Sequence, residues 1–422
     1  DLAGVTPMQP LSFDRPDDPH SIINAMRDHQ AMLDTIRGGP INTAVADAPS
    51  DLRERRDHLK SFGYFADAAV VGACLLPSGA ILEAPFQNAD VAGLVQDLQT
   101  AQTKTLASGI DMIMADLRDS ANAALPDITH HTHGLVFLYE NPRDVMPDEP
   151  GTEWIKDAHD HRAGLIAAET AIVIANYLRL LGHDARGHTM TSSDVDLNRL
   201  AVAAGVATSD GGPLIHPYIG RRFGLAAVTT TFAIAPDLPL AALAQQPRSA
   251  FGRAWRVGSG AAKNARNAVP YANRRFVDGA HPFERLNRVD DPTTYIDEPR
   301  VARVPKRTDM FARAQFGDMG KKLQQSATGG HYVRKAAPSM AQRRALGAFV
   351  LLQDGNAAPD STSLDPQHAA NLVKATSYFL GIDAVGISRC PDWTWYSHDA
   401  RGEVIDPPHD QAISMVIDQG FE

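Results

Sequence analysis

The residues that first suggest chemistry are histidines, in "THHTHG" at 129–134 and "AHDHRAG" at 158–164. Imidazoles at i and i+2 can share one metal ion, but a hydrolytic metal centre needs a third and a fourth convergent ligand. Here the H-x-H pattern runs into a helix without the expected acidic residue and further histidine. The bland reading is turn and cap polarity, with Asp157 or Asp160 capping a helix that starts near His161, and no metal site is assigned. "GDMGKK" (317–322) and "GSGAAK" (258–263) are too short for phosphate loops and lack the strand–loop–helix context. The dense aromatic cluster is "CPDWTWYSHD" at 390–399. Trp393, Trp395 and Tyr396 offer flat apolar area at low entropy cost, suited to lining a cavity over a planar macrocycle, stacking on an aromatic ligand, or anchoring a loop on the core. A second stacking candidate is Phe283, in a Pro-Phe-Glu-Arg turn. Arg285 and Arg288 beside it are placed to meet a carboxylate, a phenolate or a phosphate.

These residues need elements to position them. In "HRAGLIAAETAIVIANYLRLLGHDARGH" (161–188), Leu165, Ala168, Ile172, Ile174, Ala175, Leu178 and Leu181 recur at helical spacing, and Gly182 stands where a carboxy-terminal cap belongs. That predicts a buried helix. "DVDLNRLAVAAGVA" (194–207) predicts a shorter one, and the β-branched "AAVTTTFAI" (226–234) a strand. Residues 64–76 and 133–140 read as a helix end running into strands. The pattern is alternating α and β, with a sheet covered by helices.

The chain also repeats itself. "LKSFGYFADAAVVGA" (59–73) matches "VKATSYFLGIDAVGI" (373–387), and "HTHGLVFLYENPRD" (131–144) answers "HDQAISMVIDQGFE" (409–422). The first copy then holds 36 extra residues between its matched parts, placed in the helical stretch 90–125. A repeated unit dictates architecture. The second copy stops after its second strand, with nothing to match 161–182 or 213–240. The expectation is therefore the front part of a longer polypeptide, or a unit completed by another chain.

Composition bounds the class. With 422 residues, 44% hydrophobic and 21% charged, the chain can bury a large core. No run approaches the roughly 18 apolar residues of a membrane span, and the amino terminus carries no targeting pattern, so the expectation is cytoplasmic with no membrane partner. Two cysteines, Cys74 and Cys390, cannot ligate a four-cysteine cluster. The net charge of −10 argues against nucleic acid. Yet residues 246–344 carry 20 Lys/Arg against 8 Asp/Glu, a basic middle that suits packing against acidic neighbours, an anionic ligand, or an acidic electron carrier.

"IANYLRLLGHDARGHT", followed by "LAVAAGVATSDGGPLIHPYIGRRFGLAAVTTTFAIAPDLPL", resembles the core of the cobalamin-dependent reductive dehalogenases and, more distantly, the epoxyqueuosine reductases. Residues 281–320 and 392–417 also resemble dehalogenase segments. The resemblance implies an α/β (α+β) nitroreductase-like fold and a soluble, non-respiratory oxidoreductase that removes halide from halogenated aromatics of the halophenol or halobenzoate type. It implies cobalamin and two 4Fe-4S clusters as cofactors, an electron-donor protein or reductase as partner, and cluster ligands outside this chain. It divides the chain into a degenerate copy (1–245), a basic connector (246–340) and the beginning of the cobalamin-binding copy (341–422). Together with the resemblance, their residue types make Trp393, Trp395 and Tyr396 the cofactor-binding candidates and Phe283, Arg285 and Arg288 the candidates for binding an aryl halide; the resemblance implies no catalytic residue inside these 422 residues, which alone should be inactive. The other readings are a non-catalytic scaffold or electron-carrier docking module, a tRNA-modifying epoxyqueuosine-reductase-like enzyme, and a flavin nitroreductase.

Overall fold

The computed structural model describes residues 2–100, 117–142, 147, 149–242, 287, 289–290, 293–327 and 361–417. Its helices are α1 (Ile22–Thr35), α2 (Leu52–Phe65), α3 (Val91–Thr100), α4 (Thr152–Ile155), α5 (His159–Leu180), α6 (Leu197–Ala203), α7 (Met310–Gln315), α8 (Lys321–Ala327) and α9 (Pro366–Phe379). Its strands are β1 (Val70–Leu75), β2 (Ile81–Phe86), β3 (His133–Glu140), β4 (Ala185–His188), β5 (Ser193–Val195), β6 (Phe223–Thr230), β7 (Ala384–Arg389) and β8 (Gln411–Val416).

Helix α5 organises the first half. Ala163, Ala167, Ala171 and Ala175 recur every four residues, so one face is a low ridge on which the sheet can lie close. The sheet answers with Gly224 in β6, where an added Cβ would stand 2.3 Å from the backbone nitrogen of Gly164. Opposite, Leu165, Ala168, Ile172 and Val173 pack against Met26, Met32 and Leu33 of α1. Being apolar on all sides, α5 is long enough to cross a membrane by composition, but 78% of its most apolar window is buried inside the protein, as befits a core helix. Gly182 ends it at φ +88°, the conformation expected of a glycine stop. The start differs from expectation: the N-cap is Ala158, without a side-chain bond, while Asp157 has φ +57° and Asp160 lies in the first turn.

The sheet runs β1-β3-β6-β4 and is antiparallel throughout. The stretch predicted as a strand over 226–234 supplies β6, central between β3 and β4, but pairing ends at Thr230, whose hydroxyl accepts from the backbone of Phe232. Helices cover both faces. Helix α6, capped by Asp196 on Asn198 and Arg199, closes the far side with Leu197, Leu200 and Ala201.

Two parts of the chain share an order of elements. Helices α2 and α9 begin and end 314 residues apart, as do β1 and β7. Both helices are capped by aspartate, Asp51 and Asp365, and each is followed by a left-handed residue, Asp67 at φ 70° and Gly381 at φ 100°. The second strands begin 278 residues apart, and the registers correspond: Val71 lies opposite Phe137, and Val385 opposite Met415. In the first unit the interval between the paired strands holds β2 and α3, whereas in the second it is shorter, residues 390–410, with a 3-10 turn at Asp392–Thr394 and a His398–Val404 bridge.

What surrounds the two units differs. Gly72 of β1 faces the chain after α6, so a Cβ there would meet the Ala204 carbonyl oxygen at 2.2 Å. At its counterpart Gly386 a Cβ would meet no atom within 4 Å among the described residues. Ile413, Met415 and Val416 of β8 are accordingly about half exposed or more. Between the units, the described part of the basic middle, 293–327, folds as short helical turns.

Candidate functional site

The aromatic loop after β7 is held from a distance in sequence. The Arg303 guanidinium donates to the carbonyls of Tyr396 (2.7 Å), Ile405 (2.6 Å) and Trp395 (3.3 Å). Three carbonyls on one fork-shaped donor fix the loop's backbone. The Tyr396 hydroxyl donates to Asp309 Oδ2 at 3.1 Å, and Lys306 lies over its ring at 5.3 Å. Asp309 is itself the N-cap of α7, bonding the Ala312 amide. Amides and the Tyr396 hydroxyl hold its carboxyl below the usual range, while the carboxylate pushes the Tyr396 phenol up. Tyr396 is thereby committed to the start of α7. The two tryptophans are not: the indole N–H groups of Trp393 and Trp395 are buried and have no partner among the described residues. A buried donor without an acceptor costs about 1–3 kcal/mol, so these groups suit a ligand rich in oxygen acceptors.

The sequence picked out the tryptophans and Tyr396 but missed Arg303, Lys306 and Asp309. Only their place in the charge-asymmetric middle set them apart. Phe283, Arg285 and Arg288 lie outside the described residues. Neither cysteine offers a reactive thiolate pair: burial in the apolar layer pushes the Cys74 thiol up to about 12, and Cys390 is in the aromatic loop. A separate cleft of about 620 Å³ lies between α1 and α3, lined by Asp14, Asp28, Asp90 and Asp97 with Arg15 and Arg27. Its acidic wall makes it a poor receptor for an anionic aromatic.

The "DLPL" turn has a structural task. Asp237 Oδ2 accepts from Lys60 Nζ at 2.8 Å and from the Ala73 amide at 2.9 Å, tying α2 and β1 to the chain leaving β6.

No protein-family profile and no curated protein matches this chain. Solved structures do. The catabolic reductive dehalogenase NpRdhA matches over 99% of this chain at 29% identity with a TM-score of 0.73. The same enzyme in complex with 3-bromo-4-hydroxybenzoic acid matches equally well. A reductive dehalogenase structure described as suggesting a mechanism for B12-dependent dehalogenation gives 0.74 over 98%. The chain spans about half the length of these enzymes, 54% in two of them and 55% in the bromohydroxybenzoate complex. In fold, and at 29% identity in sequence, the chain is similar to about half of a reductive dehalogenase.

Proposed function

We propose that this chain is part of a reductive dehalogenase that acts on halogenated aromatics, of the halophenol or halobenzoate type, with cobalamin and iron–sulfur clusters. The observation that carries the reading is the match over 99% of the chain to enzymes of this activity, one of them holding a bromohydroxybenzoate. The overall change consumes two electrons and one proton: a carbon–halogen bond is replaced by carbon–hydrogen, and halide leaves. Bound cobalamin supplies the reduced cobalt that such a cleavage needs.

The residues present fit one wall of such a site. The unpartnered buried indoles of Trp393 and Trp395 suit the amide and phosphate oxygens around a corrin, and Arg303 holds their loop in place. Tyr396 supports that loop through Asp309. With two cysteines in the sequence, cluster ligation belongs to residues other than these. Phe283 with Arg285 and Arg288 would give the substrate a flat apolar surface and a cation for its phenolate or carboxylate. The basic middle would dock an acidic electron donor, and we place the enzyme in the cytoplasm, organised as a degenerate repeat, a connector and a cofactor-binding repeat.

The test is cofactor retention. In the enzyme that carries this chain, Trp395→Phe and Trp393→Phe keep the ring area but remove the donor, and should lower bound cobalamin severalfold at unchanged melting temperature. Full cobalamin content in the double variant would remove the tryptophans from the site. Absence of cobalamin from the native enzyme would overturn the functional reading.

A further inference from the structure

Two loops at one end of the main sheet, the one entering β3 and the one entering β4, converge on three potential ligand atoms: imidazole nitrogens of His130 and His131 and a carboxylate oxygen of Asp184, all within 4.8 Å of one another. We propose that His130, His131 and Asp184 form a binding site for a divalent d-block cation, zinc above all, that clamps these two loops together.

The argument begins with the buried ring. His131 has no exposed side-chain surface, and its Nε2 has no hydrogen-bond partner, although Asp184 Oδ2 stands 3.4 Å away. Its other nitrogen is engaged: Nδ1 lies 2.8 Å from Thr229 Oγ1. The same hydroxyl lies 2.8 Å from His188 Nε2, and His188 Nδ1 accepts from the Asp194 amide. That amide bond puts the His188 proton on Nε2, where it donates to Thr229. In the tautomer that binds a metal, the hydroxyl oxygen accepts from His131 Nδ1–H as well, and the Nε2 lone pair then faces the same space as the Asp184 carboxylate. The 3.4 Å spacing of Nε2 and Oδ2, too poorly aligned for a hydrogen bond, matches a metal site: bonds of about 2.1 Å at a tetrahedral angle separate ligand atoms by roughly 3.4 Å. An imidazole that ligates through one nitrogen and donates from the other to a fixed oxygen is the usual arrangement around zinc.

His130 completes the set. Its Nε2 is 2.7 Å from the same carboxylate oxygen, and its side chain is about half exposed, so it is free to swing outward by the fraction of an ångström a shared ion requires. Asp184 is anchored by backbone alone: its amide donates to Thr231 Oγ1, and its carbonyl accepts from the Thr231 amide and the Thr230 hydroxyl. The three threonines at the end of β6 thus position both sides of the site. The buried cations behind it, Arg37 and Arg186, share Asp194 at 2.5 and 3.5 Å. The H-x-H pair considered from sequence is not the one used, since His133 bonds its neighbour Thr132. The second unit has Pro408 and His409 in the places of His130 and His131, so the site belongs to the first unit only.

The experiment uses the full 422-residue chain stripped with chelator. Zinc titrated against a competing chelator should bind one per chain and raise the melting temperature, and cobalt(II) should give the intense visible bands of a four-coordinate site. His130→Ala, at a half-exposed position that leaves the core intact, should weaken zinc at least tenfold and abolish the thermal shift. Asp184→Asn should do the same, and Thr229→Val should weaken zinc about tenfold. His58→Ala, remote and exposed, should change nothing. Native chain that is folded by circular dichroism yet binds no zinc, or that binds it equally in His130→Ala, overturns the proposal and leaves an ion pair of His131 with Asp184 in its place.

Discussion

Gly72 and Gly386 occupy the same place in the two repeated units, yet the structure assigns them opposite tolerances. At Gly72 an added methyl would stand 2.2 Å from the Ala204 carbonyl oxygen and 2.6 Å from Val206 Cγ2, while at Gly386 it would meet nothing within 4 Å among the described residues. Overpacking a filled site costs typically 1–3 kcal/mol. The obstacle at Gly72 is backbone, in a segment fixed by the Ala204, Val206 and Ala207 amides bonding back into α6, so the upper end, about 3 kcal/mol, applies. At Gly386, alanine removes about 0.5 kcal/mol of unfolded-state freedom with no steric penalty. Gly72→Ala should therefore lower the urea midpoint clearly, and Gly386→Ala should leave it unchanged or raise it slightly. Equal effects of the two substitutions in this 422-residue chain, within about 0.5 kcal/mol, would refute the contrast between a tightly covered Gly72 and an open Gly386.

In the folded chain a thiol reagent should label Cys390 and spare Cys74, whose thiol burial pushes up to about 12, with the second equivalent appearing only in urea. Arg27 grips Asp90 at 2.6 and 2.7 Å and holds its carboxyl below the usual range. A depressed carboxyl stabilises the fold above its unfolded value, about pH 3.9, and loses that contribution as pH falls through the folded value. Arg27→Gln should therefore cost up to about 1 kcal/mol at pH 6 and nearly nothing at pH 2, read from urea midpoints, since the pair is partly exposed; an equal loss at both would contradict the assignment. Arg303→Met removes three bonds to loop carbonyls. It should loosen residues 395–405 by about 2 kcal/mol in hydrogen exchange and leave α5 protected.

How much of this was legible depended on where the physical signal is local. Helix α5, the glycine stop at Gly182, the central strand from the threonine-rich stretch and the repeat all follow from spacing or from direct comparison of segments. The offsets of the matched segments recur in the strand registers, since side chains facing one core recur when strands pair alike. What escaped is non-local. Nothing near Trp395 announces Arg303, 92 residues away, nor does anything near His131 announce Asp184. The histidine stretch was judged by its i, i+2 pairing, whereas neighbouring His130 and His131 meet a carboxylate delivered by the loop entering β4. Capping by Asp157 or Asp160 failed because Ala158 takes the cap position.

The central claim, that this chain serves a reductive dehalogenase of halogenated aromatics, is tested most directly by halide release. The enzyme that carries this chain, purified without oxygen and supplied with cobalamin and a low-potential electron donor, should convert 3-bromo-4-hydroxybenzoic acid to 4-hydroxybenzoic acid, freeing one bromide for every two electrons consumed. An enzyme with cobalamin and clusters in place that consumes no electrons and frees no bromide from this or any other halophenol or halobenzoate would contradict it.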